Sequence, residues 1–238
     1  MTNSGYTRWL SEFGEDDLKY LAESLPSCFN SSTGLNNLAF LNWRFDFNGD
    51  LEGKFFSIGE GYFEASLTLI EECLKSNYDK KADIFIFPIL HNLVHAVEVY
   101  LKGFNSLYKV HVELKTNHEI SVSSVQSGHN IKSMCQEAIG LLKKHDDSDV
   151  LYMMEFVQKF IDDLYSHTND MTFSRYPVTK RKTNHFYVQS EGNVTINLVL
   201  LRQWAMGLYF SLDSLTSLID YQNDYMKDVL VDLMSDWT

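Results

Sequence analysis

The 238-residue sequence has only three prolines and 12 glycines, too few breakers for a turn-rich sandwich and few enough to leave long helices uninterrupted. Cysteine is equally sparse. Cys28, Cys73 and Cys135 stand apart with no C-x-x-C pair, which excludes zinc-ligand spacing and a disulfide framework and reads as reduced thiols. A basic surplus is missing too. The formal net charge is −12, opposite to the balance of a domain built to grip phosphate backbones, so any nucleic-acid contact has to come from a local basic patch. The longest apolar runs, near Ile84–Leu90 and Leu198–Leu201, fall well short of the roughly 20 residues a membrane-crossing helix needs. The opening Met-Thr-Asn-Ser-Gly-Tyr has neither the basic start nor the apolar stretch of an export signal. A cytoplasmic protein without membrane attachment is therefore the expectation. The G-x-S-x-G, G-x-x-x-x-G-K-[ST] and G-x-G-x-x-G patterns are absent, which removes the serine-hydrolase elbow and the common nucleotide loops.

What is present is apolar and aromatic. Hydrophobic residues make up 45%, with 16 Phe, 13 Tyr and 4 Trp, enough for a sizeable core. Trp9, Leu10, Phe13, Leu18 and Leu21 predict a short amphipathic helix over 8–25. A polar stretch, Asn30 to Asn37, follows as loop or linker. Between Ala39 and Phe56 the aromatics alternate (Phe40, Trp43, Phe45, Phe47) ahead of Asn48-Gly49, a hairpin signal. Three- and four-residue steps then predict helices over 62–76, from Asp83 to about Tyr108, after Gly128-His129-Asn130, from Val150 to about Tyr165 behind an Asp147 or Ser148 cap, and from Leu198 to about Val231. Pro88 marks either the first turn or a kink of the second of these. Residues 110–127 read as a loop. Phe186–Val188 and Val194–Ile196, around Glu191-Gly192-Asn193, read as a β-hairpin before the last helix. The expected architecture is mainly α: a four- to five-helix bundle over 59–238, with that small β-hairpin, and a mixed α/β N-terminal appendage over 1–58.

One segment carries chemistry. From Phe87 to Gly103, Leu90, Leu93, Val94, Val97 and Leu101 share a broad apolar arc. His91, His95, Glu98 and Lys102 fall in an adjacent arc about 60° wide. Four titratable side chains thus border the core face, either as a polar seam that orients helices or as a functional cleft. Histidines at i,i+4 can share a metal ion, but Glu98 is the only carboxylate nearby and no second half-site is visible, so no metal and no cofactor is expected. His129 opens a helix behind Gly128 and either bonds backbone across the bundle or faces this seam. His111, His118, His145 and His167 lie in polar surroundings and are expected at the surface.

The run His95-Ala96-Val97-Glu98-Val99-Tyr100-Leu101-Lys102-Gly103 resembles the H-A-[IV]-E-x-x-L-K helix of HEPN-like proteins. Gly128-His129-Asn130 is similar to their G-H-[DN], and Arg175-Tyr176-Pro177 to the R-Y-P segment before their last helix. Order and spacing agree over about residues 60–222. The resemblance implies an α-helical bundle, often a homodimer, working in bacterial stress, toxin–antitoxin or phage-defence settings. Many such proteins are metal-independent ribonucleases with R-x(4–6)-H at a dimer cleft. Here Arg181 and His185 are separated by three residues, and Arg175 and His185 by nine, so that motif is absent.

Arginine beside histidine suits RNA cleavage, because imidazole exchanges protons with the 2′-hydroxyl or leaving oxygen while guanidinium stabilises the charged phosphorane. Arg175, Lys180, Arg181, Lys182 and His185 form the one basic concentration of the chain, and they read either as a phosphate site or as a solvated tip. Two readings are open. One is a binding or interaction module that senses RNA, a nucleotide or a protein partner. It would use His91, His95, Glu98, Lys102, His129, Lys180, Arg181 and Lys182. The other is an endoribonuclease with Arg175 and His185 as a rearranged catalytic pair.

Overall fold

The computed structural model describes residues 14–24, 27–28, 37–41, 51–116, 128–179 and 181–235. The chain is mainly helical. In order come α1 (Glu15–Ser24), α2 (Leu51–Lys75), α3 (Ala82–Thr116), α4 (Ile131–Lys144), α5 (Ser148–His167), a 3₁₀ turn (Met171–Ser174), the one-turn α6 (Phe186–Gln189) and α7 (Leu198–Ser235). Helices α2 to α5 and α7 pack into one bundle, with α3 at its centre against α2, α4 and α7.

The sequence dictates which helix sits inside. On α2 the buried residues Gly59, Phe63, Ser66, Ile70 and Cys73 recur every three or four positions, one stripe facing one neighbour. On α3 every residue from Ala96 to Leu101 is buried, because this helix has neighbours on several sides. By length and composition α3 is also apolar enough to cross a membrane, yet half of that window is buried inside the bundle, as in a core helix. The local apolar run was too short for this reading; the helix extends it on both sides. Leu201, Ala205, Leu208, Leu212, Leu215 and Ile219 form the inner row of α7. Trp204 is only half-buried, its ring packing on Phe156 and Phe160 at 4.9 and 6.0 Å.

Two glycines set the spacing of α2 and α3. A Cβ on Gly59 would lie 2.5 Å from the Tyr100 ring, and one on Gly103 would lie 2.5 Å from the Phe56 ring and 3.0 Å from Phe55 Cβ. The Phe56 ring can swing aside, but Phe55 Cβ is fixed to the backbone. We expect Gly103→Val to destabilise the fold by about 1–3 kcal/mol through overpacking, read as a lower thermal midpoint; an unchanged midpoint would mean the helices are free to separate.

Several elements differ from the sequence reading. Helix α2 starts at Leu51, so residues 51–56 of the expected N-terminal β element are helical, and 42–50 lie outside the described residues. Helix α3 begins before Pro88 and ends at Thr116, which makes 110–116 helix rather than loop; 117–127 are outside the described residues. Its start is fixed by Asn77, whose Oδ1 accepts from the Ala82 N–H at 3.0 Å, and not by Asp83. Among the described residues there is no strand pairing 186–188 with 194–196; the one β-bridge joins Val178 and Asn184. Phe186 and Tyr187 are consecutive, yet both pack against the core. A strand would send one of them outward, whereas a helical turn can seat both.

Candidate functional site

The seam forms along α3 as its spacing requires, and its centre is Glu98, only 8% exposed. Lys102 Nζ donates to Glu98 Oε1 at 2.8 Å, one helical turn away. His129 Nδ1 meets the same oxygen at 2.7 Å, although its side chain is 79% exposed. His95 Nδ1 stands 3.8 Å from Oε2, too far for a full hydrogen bond. Asn130 Oδ1 caps α4 by accepting from the Ser133 N–H at 3.0 Å. That cap fixes the Gly128-His129-Asn130 corner, from which the imidazole reaches across to α3.

Burial alone would raise the Glu98 carboxyl. The His95 and His129 imidazoles and the Lys102 ammonium outweigh it and hold it at about 2. Two further rings extend the seam. His91 stacks parallel to His95 with centroids 5.9 Å apart, and Tyr62 of α2 meets His95 edge-on at 4.5 Å. The His91 pKa is lowered by burial first, then by the positive charge of Arg175 and by His95, with Glu98 opposing. His91 is therefore neutral near pH 7 and has a lone pair free to take a proton.

Arg175 reaches this place through a chain of local bonds. The Asp170 carboxylate caps the 3₁₀ turn through the Thr172 N–H at 2.9 Å, and the turn packs on α3. Arg175 follows as its C-cap, donating its own N–H to Thr172 O at 2.9 Å. Its guanidinium is exposed and lies 5.7 Å from the Tyr176 ring. Below it, the Tyr187 hydroxyl donates to the carbonyl of Phe173 at 3.0 Å and approaches that of Tyr176 at 3.4 Å. The Arg-Tyr-Pro corner is thereby tied to α6.

The structure thus gathers His91, His95, Glu98, Lys102, His129 and Arg175. His185 is buried instead: it is 2% exposed, stacks on Tyr187 at 5.9 Å and leaves Nε2 without a hydrogen-bond partner among the described residues. Arg181 and Lys182 are exposed at the tip of a tight turn. In that turn the Thr179 N–H donates to Thr183 O at 2.8 Å and Lys182 takes a left-handed φ of 61°. Lys180 lies outside the described residues. Among the described residues no group of three or more His, Cys, Asp or Glu is arranged to hold a metal ion.

A second polar cluster escaped sequence reasoning. His111, expected at the surface, is 1% exposed, its Nδ1 2.8 Å from Asn223 Oδ1 of α7. The Asn223 amide nitrogen approaches Leu107 O at 3.4 Å, which turns its oxygen to the ring, so Nδ1 carries the proton. Asp147, the α5 N-cap residue, accepts from the Tyr108 hydroxyl and from Lys115 Nζ at 2.9 Å. His145 is half-buried near Tyr108, His167 is exposed, and His118 lies outside the described residues. The burial of His111 would have shown in the sequence only with α3 extended, since it stands four residues after Leu107 on the buried face.

No protein-family model, no curated protein and no solved structure matches the chain.

Proposed function

We propose that the chain is a HEPN-like binding module of the stress- or defence-associated kind, with the α3 seam as its working surface. It senses RNA or a nucleotide in preference to a protein partner, and it acts as a homodimer by family analogy alone. One observation carries the choice of an anionic ligand. Lys102, His95 and His129 gather around the buried Glu98 carboxylate, and the Arg175 charge acts on His91 at the head of the same seam, in a chain whose net charge is −12. Lys102 neutralises Glu98, and among the described residues no ion pair covers the exposed Arg175 guanidinium, which stands beside imidazoles able to donate or accept hydrogen bonds.

The test is fluorescence anisotropy with single-stranded and structured RNA at low salt. Arg175→Ala should weaken binding about ten-fold and flatten the salt dependence by about one phosphate contact. Lys182→Ala, at the solvated tip, should change affinity less than two-fold. Wild-type protein that binds neither RNA nor mononucleotide at 50 mM salt sinks the proposal.

A second reading, metal-independent RNA cleavage, is favoured by one feature. Arg175 lies close enough to His91 to depress its pKa, which supplies a guanidinium and a neutral base together. The pair would then be Arg175 with His91, not with the buried His185. Cleavage in EDTA that is lost in folded His91→Ala and retained in His185→Gln would establish it. Inert wild-type enzyme at high concentration would leave the binding role alone.

A further inference from the structure

Beside the seam lies a cavity of about 650 Å³, within the range of small-ligand pockets. Phe87, Phe173, Phe186 and Tyr187 line it, together with Asn193, Thr195 and the charged Lys80 and Asp83. The same segments build both features. Phe87 lines the cavity and His91 is the next turn of α3, about 6 Å along the axis. Phe173 lines it, and Arg175 is two residues on. Tyr187 lines it while its hydroxyl holds the carbonyls of Phe173 and Tyr176. The walls of an aromatic chamber and the residues of a cationic ledge are therefore neighbours along the same segments, although His91 and Arg175 do not themselves line the cavity.

From this adjacency we infer that the cavity is a base pocket. It takes the ring of a nucleoside phosphate whose phosphate rests against Arg175 and His91 at the head of the seam, free or as an unpaired nucleotide of a strand. The inference rests on the proposed anion-binding role of the seam and names its ligand. Aromatic walls suit a planar heterocycle because every base has a π-face to stack, and the Asn193 amide and Thr195 hydroxyl match the polar rim of a base. The α3 N-terminus does not compete for the phosphate, since its first N–H groups are already bonded to Asn77 Oδ1 and to the carbonyls of Lys80 and Lys81. One wall is a strap. Val194 and Ile196 line the cavity although both remain more than 40% exposed, so the chamber can be filled by substitution from outside without disturbing the core.

The experiment titrates the full-length protein by calorimetry with each of the four nucleoside monophosphates, the matching nucleosides, inorganic phosphate and short single-stranded oligonucleotides. At least one monophosphate should bind, its nucleoside about ten-fold more weakly. Val194→Trp and Ile196→Trp should each weaken it ten-fold or more with an unchanged thermal midpoint. Arg175→Ala should reduce monophosphate binding to the nucleoside level. Oligonucleotides that compete with the monophosphate place strands in the same pocket; failure to compete confines it to free nucleotides. Monophosphate affinity that follows Arg175 but ignores both tryptophans overturns the base pocket and leaves the anion seam standing. RNA binding with no monophosphate binding does the same. Absence of binding by every probe overturns both.

Discussion

Glu98→Gln should lower stability by about 2 kcal/mol and remove the share of the fold's acid sensitivity that Glu98 carries. The amide keeps the shape and one acceptor oxygen, but Lys102, 13% exposed, loses its counter-charge and the His129 ring loses its carboxylate partner. Breaking one side of a buried ion pair costs more than the pair itself contributes, because an uncompensated charge stays behind. In wild type the Glu98 carboxyl titrates at about 2 in place of the usual 4.5 or so. A depressed carboxylate contributes stability that is fully present above the unfolded value and is lost as pH falls towards the folded one. The window runs from about pH 5 to about pH 2, and the shift corresponds to a ceiling of about 3 kcal/mol, reduced by solvent screening at the exposed His129 end. For a chain this long, 2 kcal/mol means about 4–8 °C in thermal midpoint. Thermal melts at pH 7, 5 and 3.5 read both effects, and the variant should converge on wild type as the pH falls. A double change, Glu98→Gln with Lys102→Met, should recover part of the loss. If Glu98→Gln is as stable as wild type at pH 7, the seam does not orient helices, and the buried carboxylate is maintained for a ligand.

The seam was legible because it lies on one helix, where a 3.6-residue period alone brings His91, His95, Glu98 and Lys102 to one side. His129 was legible in part: the Gly-His-Asn corner pointed to a helix start, and the structure takes it to the seam rather than to backbone. Arg175 and Tyr62 were not legible as neighbours, since 84 residues separate Arg175 from His91 and only the packing of the 3₁₀ turn on α3 joins them. Arg175 does not pair with Glu98, because Lys102 and His129 already occupy that carboxylate. The main helices were readable from periodicity, and their ends were not. Helix α3 runs on past Tyr108 through polar residues whose partners lie far along the chain, such as Asn223 for His111 and Glu137 for Lys109. A loop reading wins locally there because those partners are invisible to a window of a dozen residues. The expected hairpin near 186–196 had the right turn composition, but packing of Phe186 and Tyr187 against the core selected a helical turn instead.

Phe63→Ala should cost about 3–5 kcal/mol. Phe63 is fully buried on α2, and its ring meets Tyr100 of α3 at 5.6 Å and Tyr209 of α7 at 5.0 Å. It is the point where the three longest helices converge, so truncation removes ring contacts to two neighbours and leaves a void at their junction. Collapse into that void is obstructed on one side, since Tyr100 is already held against the Gly59 backbone and stacks on Phe56. Urea unfolding should show a lower midpoint with an unchanged slope, which is the mark of lost stability without a changed unfolded state. Phe63→Leu, which refills part of the space, should recover about half. A loss below about 1 kcal/mol for the alanine variant would mean that α7 does not close on α2 and α3 as described. Because Tyr62, the neighbouring residue on α2, holds the edge of His95, the same variant should also loosen the seam. Ligand affinity should then fall with Phe63→Ala although Phe63 is not itself part of the seam, and Phe63→Leu should restore affinity and stability together.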